Sequence, residues 1–153
     1  MPLTPDELEA FLAEVRLAHL ATVSPDGRPS IRPVWYLWAD GAFWLTTRLQ
    51  ARVGGRDIAG GSEVALSIAS DERPYRAVLA RGKPEVWQDH RASWLERLAV
   101  RYGQREGRAW LARALEEPDR ACLRQVPDVL LTWDYGKGDS RRQSAGESMR
   151  TPR

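Results

Sequence analysis

The stretch that decides the fold begins Ala18-His19-Leu20-Ala21-Thr22-Val23 and turns at Ser24-Pro25-Asp26-Gly27. It continues through Ser30-Ile31-Arg32-Pro33-Val34-Trp35-Tyr36-Leu37-Trp38, turns again at Asp40-Gly41 and returns as Ala42-Phe43-Trp44-Leu45-Thr46-Thr47. Apolar, β-branched and aromatic residues fill the runs, as strands prefer. The breaks carry Pro, Asp and Gly, which fix φ, bond their own backbone or tolerate positive φ. The pattern predicts strands over 19–23, 30–38 and 42–47. Working outward, it predicts further strands over 63–69, 76–86 and 123–135, the first two joined by the polar turn Ser70-Asp71-Glu72-Arg73-Pro74. One intervening segment differs in kind: Arg48-Leu49-Gln50-Ala51-Arg52-Val53-Gly54-Gly55-Arg56-Asp57. It sets basic side chains and flexible backbone beside an apolar framework, an arrangement suited to an anionic, flat organic ligand.

Helical periodicity appears in four places. Thr4-Pro5-Asp6-Glu7 has a capping Thr, a Pro at the first helical position and the Glu of a capping box, and Leu8, Phe11, Leu12 and Val15 follow at helical spacing. A short helix is expected over 49–59, weakened by Gly54 and Gly55. Trp94, Leu95, Leu98 and Val100 mark a helix over 89–102, and Trp110, Leu111 and Leu115 another over 106–115. Six antiparallel strands with short turns and a few helices predict a mainly β, α+β fold: a small barrel or a strongly curved sheet. Barrel closure removes the exposed edges that a half-apolar sheet otherwise carries.

The chain's 153 residues suit one domain, and a hydrophobic fraction of 42% excludes a disordered chain. There is no apolar run of membrane-spanning length. The first residues lack the basic-then-apolar order of a secretory signal, and Cys122 is the single cysteine, so a reducing cytoplasm is the expected location. The net charge is +2, and residues 136–153 carry five Lys or Arg against two Asp or Glu. Residues 139–153 are expected to form a basic, disordered tail following a domain over 1–138. That tail has no aromatic residue to stack on bases, which disfavours nucleic acid as a partner.

Two histidines, His19 and His90, lie far apart and beside no nucleophile motif, which argues against a hydrolytic triad. His19 is expected in the core or an interface, His90 at a solvated helix start. One Cys and two His give no zinc-ligand spacing, and no metal is expected. Neither glycine-rich nucleotide motif occurs. Thr46-Thr47-Arg48 at a strand end, followed by Arg52 and Arg56, offers hydroxyl and guanidinium donors for a phosphate. On spacing alone a solvated basic loop is slightly favoured over a phosphate site. Trp35, Tyr36, Trp38 and Trp44 crowd one hairpin, as core, interface or stacking surface.

Residues 18–23, Asp26-Gly27-Arg28-Pro29, Pro33-Val34-Trp35-Tyr36 and 41–48 resemble the pyridoxamine 5′-phosphate oxidase-like, FMN-binding split-barrel superfamily. Within it they resemble the flavin/deazaflavin oxidoreductase group, many of whose members use coenzyme F420. Pro74-Tyr75-Arg76-Ala77-Val78 and Trp133-Asp134-Tyr135-Gly136-Lys137-Gly138 are similar to later motifs of that group. The resemblance implies a six-stranded split β-barrel that forms a homodimer, with two cofactors at the subunit interface. It implies that Pro33, Val34 and Trp35 line the ring, that Thr46, Thr47 and Arg48 lie at the ribityl and phosphate end, and that Trp133 packs near the cofactor or the dimer seam. The implied activity is hydride transfer between F420 or FMN and a small organic substrate. The alternative is a non-catalytic carrier or sensor of a flavin, a haem or F420. Family members commonly carry a lysine shortly after Thr-x-Arg; here that segment has none and is two residues longer, so Arg52 or Arg56 is expected to substitute.

Overall fold

The six predicted runs are present, but three of them bend and so contribute to two sheets. The computed structural model describes residues 1–138. In chain order the elements are α1 (Pro5–Ala13), β1 (Ala18–Val23), β2 (Pro29–Val34), β3 (Leu37–Ala39), β4 (Ala42–Arg48), α2 (Gly55–Ala59), β5 (Val64–Ala69), β6 (Arg76–Gly82), β7 (Glu85–Trp87), α3 (Arg91–Arg101), α4 (Gln104–Glu116), β8 (Arg120–Gln125) and β9 (Val129–Asp134). A five-stranded antiparallel sheet runs β2-β1-β5-β6-β9, and a four-stranded one runs β3-β4-β8-β7. The predicted strand 30–38 is β2 and β3, broken at Trp35-Tyr36. The strand 76–86 is β6 and β7, broken at Lys83-Pro84, and 123–135 is β8 and β9, broken at Val126-Pro127-Asp128. The sheets are joined at these corners, and among the described residues no ladder closes them into a barrel.

Two corners meet at Gly82. A Cβ there would stand 3.1 Å from the Val126 carbonyl oxygen, closer than Cβ atoms usually come, so a side chain at this corner would push the two segments apart by a few tenths of an ångström. The Asp128 N–H donates to the Arg81 carbonyl at 2.9 Å. Gln125 is fully buried beside the junction, and its Nε2 donates to Val64 O and Gly82 O at 3.4 and 3.3 Å.

The core lies between the sheets. Leu20, Leu66, Ile68, Val78 and Ala80 point inward from the five-stranded sheet and meet Phe43, Leu45 and Leu123 of the other, with Phe11 and Leu12 of α1 closing one end. α1 carries the predicted capping box at Thr4 and Glu7. The helices α3 and α4 pack over the outer side of the four-stranded sheet through Leu95, Ala114, Trp94, Trp110 and Leu111. This second layer explains why β4 is buried on both faces at Phe43, Trp44 and Leu45. The helix expected over 49–59 shrinks to the five residues of α2, because Gly54 takes φ +81° and ends the helical path before it. Among the described residues no helix is long and apolar enough to cross a membrane. The tail expected over 139–153 lies outside the described residues.

Candidate functional site

At the end of the molecule where β2 turns into β3, the chain leaves the sheet. The Trp35-Tyr36 link has no ladder partner, and one hydroxyl takes over its backbone groups. Tyr36 N–H donates to the Tyr102 hydroxyl at 3.0 Å, and that hydroxyl donates to Arg16 O at 2.6 Å. The Tyr102 ring lies parallel to Trp35, with centroids 4.8 Å apart and planes 3° apart. Trp110 of α4 leans on the other side of Trp35 at 5.2 Å. Tyr36 turns into the core, where burial pushes its phenol up to about 12.

The bend opens a cleft of about 310 Å³ lined by Leu17, Arg32, Pro33, Val34, Trp35, Thr46, Thr47, Trp110 and Arg120. The lining combines apolar side chains with two guanidinium groups and two hydroxyls. Five of the predicted site residues, Pro33, Val34, Trp35, Thr46 and Thr47, therefore share one cavity. Pro33 sits on β2, an edge strand of its sheet, where a missing backbone N–H leaves no ladder bond unmade on the open side.

Four predicted residues sit elsewhere. Arg48 is exposed and pairs with Asp119 at 3.1 Å. The Asp119 carboxyl is held below its usual range: burial opposes this, and the bonds from Arg48 and from Gln50 N–H outweigh it. Arg52 is exposed, and Arg56 is exposed with its Nε donating to Gln50 O at 3.3 Å. Trp133 lies on β9, at the opposite edge of the five-stranded sheet from β2, so within one chain it is remote from the cleft. His19 is exposed on the outer face of that sheet and not in its core. His90 stands at the start of α3 with positive φ.

Arg32 was not legible as a site residue. Its Nη2 donates to Thr47 Oγ1 at 2.6 Å, while its Nε is buried without a hydrogen-bond partner. Burial first, and the Arg120 charge second, hold its guanidinium below the usual value. Arg120, also unforeseen, is tied to Glu117 through Nε at 2.7 Å. Thr46 Oγ1 spends its proton on Ala121 O at 2.9 Å. Thr47 Oγ1 accepts from Arg32, and its own proton has only a long contact to Arg48 O at 3.4 Å, so it is the hydroxyl better placed to donate to a ligand. Cys122 is buried beneath α3 and α4, where burial pushes its thiol up to about 11 and makes it a poor nucleophile. Among the described residues no three His, Cys, Asp or Glu side chains cluster as metal ligands would.

The family model for pyridoxamine 5′-phosphate oxidase matches residues 4–134. The chain belongs to that family. No curated protein sequence matches it. Among solved structures, the pyridoxamine 5′-phosphate oxidase fold recurs in a conserved hypothetical protein of Mycobacterium tuberculosis, with TM-score 0.69 and 21% identity over 99% of this chain and 92% of that one. An F420 reductase superposes with TM-score 0.65 and 27% identity, over 80% of this chain and 94% of that one. The haem storage protein of Vibrio cholerae superposes with TM-score 0.64 and 19% identity, over 85% and 94%. The family fold thus serves both a reductase and a storage protein.

Proposed function

We propose that the protein is a homodimeric oxidoreductase that holds F420 or FMN in the β2–β4 cleft and exchanges a hydride with a small organic substrate. The observation that carries this reading is the make-up of the cleft, which brings the strand segment Pro33-Val34-Trp35 together with donors at Arg32, Thr47 and Arg120 and has no carboxylate on its lining. The Arg32 guanidinium, which has no carboxylate partner, and the Thr47 hydroxyl, whose proton has only the long contact to Arg48 O, fit the phosphate of a flavin-type cofactor. Pro33, Val34 and Trp35 would line its ring, and Thr46 and Thr47 its ribityl and phosphate end. The cofactor supplies the hydride chemistry when bound. Trp35 and Trp110 would exclude water from one side, and the Thr47 hydroxyl would donate a hydrogen bond to an anionic oxygen of the cofactor. The likeness to an F420 reductase favours F420.

The outward face of the five-stranded sheet supports the homodimer. Ile31, Ala21, Ala65, Leu79 and Leu131 occupy it, interrupted by His19, Ser67 and Arg81. The exposed Ile31, Leu131 and Trp133 belong to it. A second copy covering that face would bury its apolar area and carry a Trp133 toward the seam.

The test is a titration of purified protein with F420 and with FMN, followed by reduction and by reoxidation with candidate organic acceptors. Tight binding with substrate-dependent reoxidation supports the enzyme. A bound cofactor that is never turned over assigns the protein to the carrier alternative, and binding of neither removes the proposal.

A further inference from the structure

We propose that Tyr102 is a positioning residue that wedges the β1–β2 ladder open at the mouth of the cleft, and so sets how fast a flat ligand enters and leaves. The inference rests on the cleft being the ligand site. β1 and β2 pair from Val23 with Pro29 to Ala18 with Val34. Continued in the same register, the next pairs would be Leu17 with Trp35 and Arg16 with Tyr36. In an antiparallel ladder a hydrogen-bonded pair exchanges N–H and C=O directly across the strands. Tyr36 N–H and Arg16 O are aimed at each other in that way, but the Tyr102 hydroxyl stands between them. It accepts from Tyr36 N–H at 3.0 Å and donates to Arg16 O at 2.6 Å. The ladder stops short of this point, and the pair left unzipped, Leu17 and Trp35, lines the cleft.

The wedge is itself held in place. The Tyr102 ring lies parallel to Trp35 at 4.8 Å, which fixes it on the β2 side. On the other side its neighbour Arg101 donates to Leu12 O, Ala13 O and Glu14 O at 3.0, 3.3 and 2.7 Å, three successive carbonyls at the end of α1. The Arg101 guanidinium also lies over the Tyr36 ring, 4.9 Å from its centroid. The C-terminal end of α3 therefore grips both sides of the mouth: the chain leading to Leu17 through its carbonyls, and Trp35-Tyr36 through a ring and an N–H. Tyr102→Phe keeps the ring on Trp35 and frees the Arg16-Leu17 side. Arg32, Pro33, Val34 and Thr47 stay on their strands, so the groups that would hold the ligand are untouched while the mouth loosens.

Stopped-flow binding of FMN, or of F420 where that is the tighter ligand, tests this. Tyr102→Phe should raise the association and dissociation rates together, roughly 3- to 10-fold, and leave Kd unchanged. A change that only removes contacts acts mainly on dissociation and weakens Kd. Leu17→Ala should raise both rates as well. In the double variant Tyr102→Phe should add nothing to Leu17→Ala, because it acts through that side chain. Unchanged rates, a rise in one rate alone, a weakened Kd, or effects that multiply in the double variant overturn the proposal. If neither cofactor binds, the cofactor reading falls, and hydrogen exchange of the free protein decides the wedge. Tyr102→Phe should then lose more protection over 14–18 and 35–37 than over β5 and β6, which report global stability. An equal loss everywhere, or a loss confined to one of the two segments, overturns the wedge.

Discussion

Replacing Tyr102 by Phe removes one oxygen, and that oxygen holds the strand break that opens the cleft. It accepts from Tyr36 N–H at 3.0 Å and donates to Arg16 O at 2.6 Å. In Tyr102→Phe both backbone groups lose their partner, while the ring remains parallel to Trp35 at 4.8 Å. An unsatisfied buried group costs about 1–3 kcal/mol; Tyr102 is half-buried and water recovers part of this, so a total of about 1–3 kcal/mol is expected. For a chain of this size that corresponds to a fall of about 3–9 °C in Tm. Tyr102→Leu also removes the stacked ring, which adds about 1 kcal/mol. It alone should release Trp35 and shift tryptophan emission to the red. Urea unfolding with fluorescence detection measures both effects. A Tyr102→Phe protein within about 0.5 kcal/mol of wild type would refute the claim that this hydroxyl satisfies the break.

Gly55→Ala would place a Cβ 2.0 Å from the Arg48 carbonyl oxygen. It should destabilise the protein by about 1–3 kcal/mol in chemical unfolding and disturb the loop against Arg32. Gly107→Ala meets Ala99 O at 2.2 Å and should loosen α4 on α3 by a similar amount, read as lost hydrogen-exchange protection in both helices. Leu131→Glu puts a charge on the uncovered sheet face; it should leave the monomer folded and shift sedimentation from dimer to monomer. The Glu14 carboxyl lies below its usual range: burial would raise it, and the bonds from Arg16 and Arg76 outweigh that. A depressed folded-state value means that this contribution is complete above the unfolded value near pH 4 and is lost as pH falls through the folded one. Glu14→Gln should therefore flatten the acid limb of a stability–pH profile and leave its slope above about pH 6 unchanged.

The β framework was legible because turn chemistry punctuates it: Pro25-Asp26-Gly27 and Asp40-Gly41 end strands where the structure ends them. The bends were harder. Pro84 and Pro127 do mark two of them, being residues a central strand rejects. Trp35-Tyr36 carries no turn residue, and its break is held from a distance by Tyr102, which no local pattern shows. The site was legible where it lies on strands, at Pro33–Trp35 and Thr46–Thr47. It was misjudged at the basic loop, because spacing cannot show that Asp119 draws Arg48 away or that Arg52 and Arg56 face solvent. Arg32 left one trace. In β2 the outward residues Pro29, Ile31 and Pro33 are apolar and the inward Ser30 and Arg32 are polar, the reverse of a strand covering a core. That inversion is expected where the inner face lines a ligand cleft and the outer face meets another protein surface.

The proposed ligand site is the cleft between β2 and β4. Its most direct test is a crystal structure of the protein grown with the tighter of F420 and FMN. A ring against the backbone of Pro33–Trp35 is expected, with a phosphate oxygen within hydrogen-bond distance of Arg32 and Thr47. A cofactor bound elsewhere, with the Arg32 guanidinium still unpartnered, would contradict it.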